Sequence, residues 1–341
     1  MNEKHGWRLQ LAFAGLHPDT VRGLLDAHGA QGAVTRVIKT GNDRAKAASA
    51  VPAARRLEEL KALETECVFR GEPGYPSRLA ELPGAPDLLF VRGIIPALPT
   101  VAVVGTRRCS SYGRNLAEAY GAAIARAEWC LVSGLARGID GAAHRGTVAG
   151  GGGGVAVLGC GLDIAYPREH GALADRLVAS GGAVISEYPP GTPPEAWRFP
   201  PRNRIISGMS RAVVVVEAAI KGGALITANT ALDQGVPVFA TPGDVGKESA
   251  AGCNRLIRDG AQPVLDPADL IAELELIVGP ARHATSARDD YPWQGFSIDE
   301  MAAARKLSPT EAAAALAKAE IAGAVVRHGD RYYPSTGVHQ M

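Results

Sequence analysis

TVAVVG, Thr100 to Gly105, sets four apolar residues in a row between a β-branched start and a glycine stop. A short run with no polar alternation suits a strand covered on both faces. The same pattern recurs downstream: CLVSG (130–134), VAVLGCG (155–161), AVISE (183–187), AVVVVEA (212–218) and VPVFATPG (236–243). Ala-rich helical stretches separate the runs, among them RNLAEAYGAAIARAE (114–128) and LITANTALDQG (225–235). Apolar strands alternating with helices predict a parallel sheet wound through right-handed crossovers. The expectation is a doubly wound, Rossmann-like α/β domain over residues 66–278.

On either side the grammar changes. WRLQLAFAG, PDTVRGLLDAHG and ARRLEELKALE show apolar spacings of three and four broken by Gly and Pro, which predicts a small helical, SAM-like module over 1–65. YPSRLAELPGAPDLLFVRG (75–93) is Pro-rich and reads as a docking loop into the next domain. GPARHATSARDD (279–290) reads as a polar linker. In 291–341, Ser308-Pro309-Thr310-Glu311 is a capping box that launches a helix to about Ile321, stopped by Gly323. AVVRHGDRYYP then predicts a hairpin around Gly329-Asp330, and the set suggests a winged-helix domain. Its second helix carries Lys318 as its one basic residue, whereas major-groove readers present Arg or Asn. Protein contact or weak DNA contact is the expectation there.

The 341 residues are 46% hydrophobic and 21% charged, with a net charge of +1, so anion binding must come from a local patch. The five cysteines form no C-x-x-C pair, which argues against structural zinc and disulfides and suits a reducing cytosol. Neither a signal peptide nor a membrane-length apolar run is present, so a soluble, cytoplasmic protein is expected.

In an open parallel sheet, ligands bind beyond the carboxyl ends of the strands. Those ends carry Gly105-Thr106-Arg107, Ser133-Gly134, Gly159 with Gly161, Glu187, Glu217 and Pro242-Gly243. Glycine lets a helix N-terminus approach an anion, and so many marked ends favour binding over mere turn-making. A dinucleotide fingerprint fails, because GTRRCS has only its first Gly and GCGLDI puts Ile164 where the third belongs. No phosphate-binding G-x-x-x-x-G-K-[ST] loop exists. Asp140 and His144 lie four apart on one predicted helix; a capping carboxylate and a packed imidazole explain them better than an acid–base pair. Arg107, Arg198, Arg202, Arg204 and Lys221 remain, interleaved with Trp197 and Phe199. Arginine forks phosphate, and an aromatic beside it offers a base a stacking face. Asn203 orders the loop as much as it meets a ligand, and Arg211 lies at a strand's entry, away from that edge.

In order, the blocks VAVVGTRRCSSYG, SGLARGIDGAAHRG, VAVLGCGLDIAYP, ISEYPPGTPP, FPPRNRIISGMS, VVVVEAAIKGGALITA, FATPGD and GCNRLIRDGA resemble the DprA/Smf family of bacterial DNA-processing proteins. The resemblance covers about residues 100–262. It implies a non-enzymatic binding protein without cofactor or metal, one that holds single-stranded DNA (ssDNA), forms a homodimer and loads RecA recombinase during natural transformation. Carried over, it implies a DNA pocket of Arg107, Phe199, Arg202 and Asn203, with Arg168 as a basic contact on a neighbouring strand end. The helix CNRLIRDG falls where the family dimerises, which makes Leu256 and Ile257 interface residues. The chain departs from the family at Gly222, where Ser is usual, and at His170, where Asn is usual. The rival reading is a nucleotide-processing, phosphoribohydrolase-like enzyme using Glu217, although the PGG-x-GT-x-x-E loop of such enzymes is absent. A transcription regulator acting through the winged helix is a third reading, disfavoured by the bland helix 309–321. Glu217 itself is expected to position Arg or Lys side chains.

Overall fold

In the computed structural model, residues 3–281, 295–321 and 325–334 are described; most of the linker expected at 279–290, and the helix stop at Gly323, lie outside them. Four helices come first: α1 (Glu3–Ala12), α2 (Pro18–Thr40), α3 (Asp43–Ala50) and α4 (Ala53–Ala62). The break expected at Gly29 falls inside α2, where Gly29 takes a φ of 63° that interrupts the helical backbone. Asn42 starts α3 by accepting from the Ala45 amide at 2.8 Å.

Strand β1 (Glu66–Phe69) opens the sheet, and the short α5 (Ser77–Ala80) leads to β2 (Leu88–Gly93). Segment 75–93 is therefore not simply a docking loop. Its prolines precede the apolar run Leu88–Val91, which is buried and pairs antiparallel with β1. The alternation then proceeds through β3 (Thr100–Val104), α6 (Ser111–Arg126), β4 (Cys130–Ser133), α7 (Ile139–Ala149), β5 (Val155–Leu158), α8 (Gly171–Ala179) and β6 (Ala183–Ser186). It continues with α9 (Phe199–Met209), β7 (Ala212–Val215), α10 (Gly223–Asp233), β8 (Val238–Ala240), α11 (Glu248–Arg258), β9 (Gln262–Pro263) and α12 (Pro267–Val278).

These nine strands form one sheet in the order β1-β2-β6-β5-β4-β3-β7-β8-β9. From β6 to β9 it is parallel; β2 joins β6 antiparallel, so the sheet is mixed at one end. Side chains alternate across it with period two. Ala102, Val104, Val132, Val213 and Val215 pack with Ile205 and Met209 of α9, Ala228 of α10 and Leu256 of α11. Val101, Val103, Leu131 and Val214 pack with Leu116 of α6, Ile139 of α7 and Leu270 of α12. Under the antiparallel end, Phe90, Leu158 and Val184 meet Leu9 of α1, Leu60 of α4 and Leu177 of α8. Hence α1 and α4 share the sheet's core, whereas α2 and α3 pack with α1 in a cluster of their own.

The two residues expected at a dimer interface differ in burial. Leu256 is buried in the core of its own protomer, and Ile257 packs partly buried against that core. Amphipathic α11 turns Arg255, Arg258 and Asp259 outward instead.

After residue 294, α13 (Ile298–Arg305) and α14 (Pro309–Ile321) precede a hairpin of β10 (Val325–His328) and β11 (Arg331–Pro334). Ser308 and Glu311 form the expected capping box, the Ser308 amide donating to Glu311 Oε2 at 2.9 Å. Phe296, Met301, Leu316, Val325 and Tyr332 make a separate small core. Among the described residues no helix is long and apolar enough to cross a membrane.

Candidate nucleic-acid interface

The chain lays β4, β5 and β6 on one side of β3 and β7, β8 and β9 on the other, so its winding reverses between β3 and β7. Crevices at such a switch point are the usual ligand sites of open α/β sheets. Here a cleft of about 460 Å³ opens, lined by Gly105–Arg108 after β3, Asp140 of α7, Phe199, Arg202 and Asn203 of α9, and Lys221 and Gly222 before α10.

FPPRNRI is the first half of a helix, not a loop. Pro200 and Pro201 fall in the first turn of α9, where a missing N–H costs nothing. This decides where each arginine goes. Arg202 turns inward and is 4% exposed, so it lies at the cleft's floor instead of on its rim. Its Nη1 donates to the Gly134 carbonyl at 2.9 Å and also to that of Val157, while Nε donates to Asn203 Oδ1 at 3.2 Å. The guanidinium thus ties the carboxyl ends of β4 and β5 together. Gly134 leaves it room, since a Cβ there would stand 2.5 Å from the guanidinium nitrogens. Burial pulls Arg202 down to about 10, partly offset by the Asp140 carboxylate, so it stays charged at neutral pH. Burial pushes the Asp140 carboxyl up, opposed by Arg202 and by the amides of Ala136 and Gly134, the latter donating at 3.2 Å.

Arg204, two residues on, points to another side of the helix and donates to Glu187 Oε1 at 2.6 Å, outside the cleft. Arg198 is buried as well, donating to the Pro193 carbonyl and pairing with Glu195 at 3.1 Å. Arg168 is exposed on a short 3-10 turn, 168–170, and does not line the cleft. It follows Tyr166, whose ring stands 5.3 Å from that of Phe199. Arg211 is exposed at the entry of β7, at the opposite edge of the sheet.

The cations that line the cleft and stay exposed are Arg107, Arg108 and Lys221. The Arg107 guanidinium lies 5.2 Å from the Phe199 centroid, and that of Arg202 lies 5.9 Å away. Phe199 is half-buried. Gly222 N-caps α10 with no side-chain cap, so the positive end of this helix faces the cleft beside Lys221.

Of the strand-end residues, Ser133 is spent on structure and Thr106 is fixed by its backbone while still lining the cleft. Ser133 is fully buried and its hydroxyl donates to the Val103 carbonyl at 2.6 Å, which removes it from the ligand surface. Thr106 donates its amide to the Glu217 carbonyl at 2.7 Å, and its own carbonyl accepts from Ile139 at 3.2 Å. Gly105 lines the cleft where any side chain would strike Ile139.

Glu217 holds its basic residue indirectly, through the loop and not by contact with the side chain. Its Oε2 accepts from the Ser110 amide at 3.0 Å and the Ser110 hydroxyl at 2.9 Å, while that hydroxyl caps α6 by accepting from Gly113 at 3.0 Å. Backbone and side chain of Glu217 therefore clamp both ends of loop 105–110, which carries Arg107. Sequence reasoning had no signal for this role, because the partners are 107 residues apart. Asp140 and His144 form no working pair. His144 is fully buried, among the described residues neither ring nitrogen has a hydrogen bond of good geometry, and burial, opposed by the Ser133 backbone, pushes the imidazole down to about 3.

The class is set by the fold and the site: a Rossmann-like α/β protein with an arginine-lined cleft at its switch point. The chain belongs to the family of DNA recombination-mediator protein A, the DprA/Smf proteins, which it matches over residues 66–275. It is 44% identical over 203 residues to Protein Smf of Escherichia coli (strain K12), covering 59% of this chain and 54% of that one. It is 43% identical over 203 residues to the DNA processing protein DprA of Streptococcus pneumoniae (strain ATCC BAA-255 / R6), covering 59% and 71%. The matched region is thus about half of the E. coli relative's length. The solved structure of DprA from S. pneumoniae superposes with a TM-score of 0.66 at 34% identity, over 77% of this chain and 95% of that one. DNA processing protein A of Helicobacter pylori, whose structure is described for its single-stranded DNA binding mode, shares the fold at a TM-score of 0.55 and 24% identity, over 62% and 95%.

Proposed function

We propose that this chain binds ssDNA across the switch-point cleft, with Arg107 and Lys221 on phosphates and Phe199 against a base. The carrying observation is that exposed Arg107, Arg108 and Lys221, the uncapped start of α10 and the Phe199 ring, with Arg107 5.2 Å from its centroid, all line one cleft of about 460 Å³. Guanidinium forks hold phosphate bidentately, and base–aromatic stacking is indifferent to sequence. Arg202, with Asp140 and Asn203, builds the floor on which these groups stand. The ssDNA binding described for the H. pylori relative supports the reading.

In a homodimer two such clefts would hold one strand at two points, adding avidity without deeper pockets. Within this reading the protein is a cytoplasmic binding protein, not a catalyst; it protects incoming ssDNA and delivers it to RecA. A monomer by light scattering, or RecA nucleation indifferent to its presence, would remove those parts and leave the cleft. The phosphoribohydrolase-like alternative needs a Glu217 carboxylate available to substrate, and Ser110 occupies it. Binding of oligo(dT) by fluorescence anisotropy tests the cleft: Arg107→Ala and Lys221→Ala should each weaken binding at unchanged melting temperature. Wild-type affinity in both variants would refute the assignment.

A further inference from the structure

Trp197 is large, apolar and 42% exposed, yet it is held on several sides. Its indole Nε1 donates to Glu195 Oε2 at 2.7 Å, and His17, at the corner before α2, stacks on it at 5.5 Å. Tyr188 meets it edge-on at 6.4 Å, and the Arg198 guanidinium lies 4.6 Å from its centroid. An exposed ring fixed this way has already lost the freedom that a contact would otherwise take from it. Its place in the fold gives it a direction. Ala196 and Phe199 line the large cleft, whereas Trp197 and Arg198 between them line a separate hollow under the α1–α2 corner, with Leu16, Pro18 and Tyr188. The turn 196–199 is thus the ridge between the two.

We propose that Trp197 is a second stacking platform, taking a nucleobase of single-stranded DNA where the strand leaves the cleft over this ridge. The proposal rests on the ssDNA reading of the cleft. Surrounding charges select the chemistry: Arg8 pairs with Asp87, Arg22 with Asp19, Arg198 with Glu195 and Arg204 with Glu187. Each arginine is matched by an acid, so the surface attracts neither a bare phosphate nor a cation. What remains on offer is the exposed part of an aromatic ring, 42% of the residue, and every base has a π-face to lay against it. Such a contact adds affinity without adding counterion release. The helices preceding the sheet take part through His17 beneath the ring.

The test uses the full chain and oligo(dT), read by tryptophan emission and by anisotropy. Emission should quench as DNA saturates, and Trp197→Phe should abolish the quench while keeping most of the affinity. Trp197→Ala should bind long oligomers about 5- to 150-fold more weakly, the range of one stacked base. Its salt dependence should match the wild type, and so should its binding of oligomers too short to leave the cleft. Long-oligomer binding lost in Arg107→Ala but untouched in Trp197→Ala overturns the platform alone, as does a quench that survives in Trp197→Phe. A Trp197→Ala variant with a reduced salt slope also overturns it, since the residue would then shape the cation site. No binding by the wild type overturns the cleft reading and the platform with it.

Discussion

Removing the Arg202 guanidinium leaves the carbonyls of Gly134 and Val157 without a donor and the buried Asp140 without its cation. Buried acceptors left unpaired cost about 1–3 kcal/mol each, so Arg202→Ala should lose at least about 2 kcal/mol of stability in urea unfolding. Arg107→Ala, at an exposed position, should change stability little. Equal unfolding midpoints for the two variants would contradict the division between floor and rim. His144 carries a pH signature. Its imidazole is buried neutral, with the folded value near 3 against the usual 6.5. Below about pH 6.5 the unfolded chain binds a proton that the native state refuses, so this contribution is complete above 6.5 and erodes from there down towards 3. Asp140, shifted up by burial, works in the opposite sense, so a variant comparison is needed to isolate the imidazole. The urea midpoint should fall from neutral to acid pH less steeply in His144→Leu than in the wild type; parallel curves would exclude His144 as a source of the slope.

Helix α6 depends on a cap that is itself capped. The Ser110 hydroxyl accepts from Gly113 and donates to Glu217, which also takes the Ser110 amide. Ser110→Ala should cost about 1 kcal/mol of stability, typical of a lost N-cap, and should weaken ssDNA binding because loop 105–110 carries Arg107. Glu217→Gln keeps an acceptor and should bind better than Glu217→Ala. An order reversed in anisotropy would show that Glu217 acts otherwise. At this scale the apolar runs of β3 to β8 were legible in the sequence, since an unbroken β-branched stretch has few other uses. Two readings went astray. The prolines of 75–93 masked β2, and FPPRNRI read as a loop because proline breaks helices everywhere except their first turn.

Across the whole molecule, a net charge of +1 leaves the cleft as the source of any salt-dependent attraction. Each phosphate contact on a single strand contributes about 0.7 to the slope of log affinity against log salt. Arg107→Ala should therefore flatten that slope by about 0.7 and Trp197→Ala should not; identical slopes in wild type and Arg107→Ala would argue that Arg107 meets no phosphate. The amino-acid sequence alone determined the alternation of strands and helices, the glycine-marked strand ends, the family and the helix–helix–hairpin order at the C-terminus. Each of these is written in local pattern, in residue periodicity and short motifs. Only the tertiary structure decided which arginine becomes floor and which becomes rim, that Ser133 is spent on the core, and that Glu217 clamps the Arg107 loop. Those outcomes depend on which side of a helix meets the sheet and on partners as much as 107 residues away, and no local pattern encodes either.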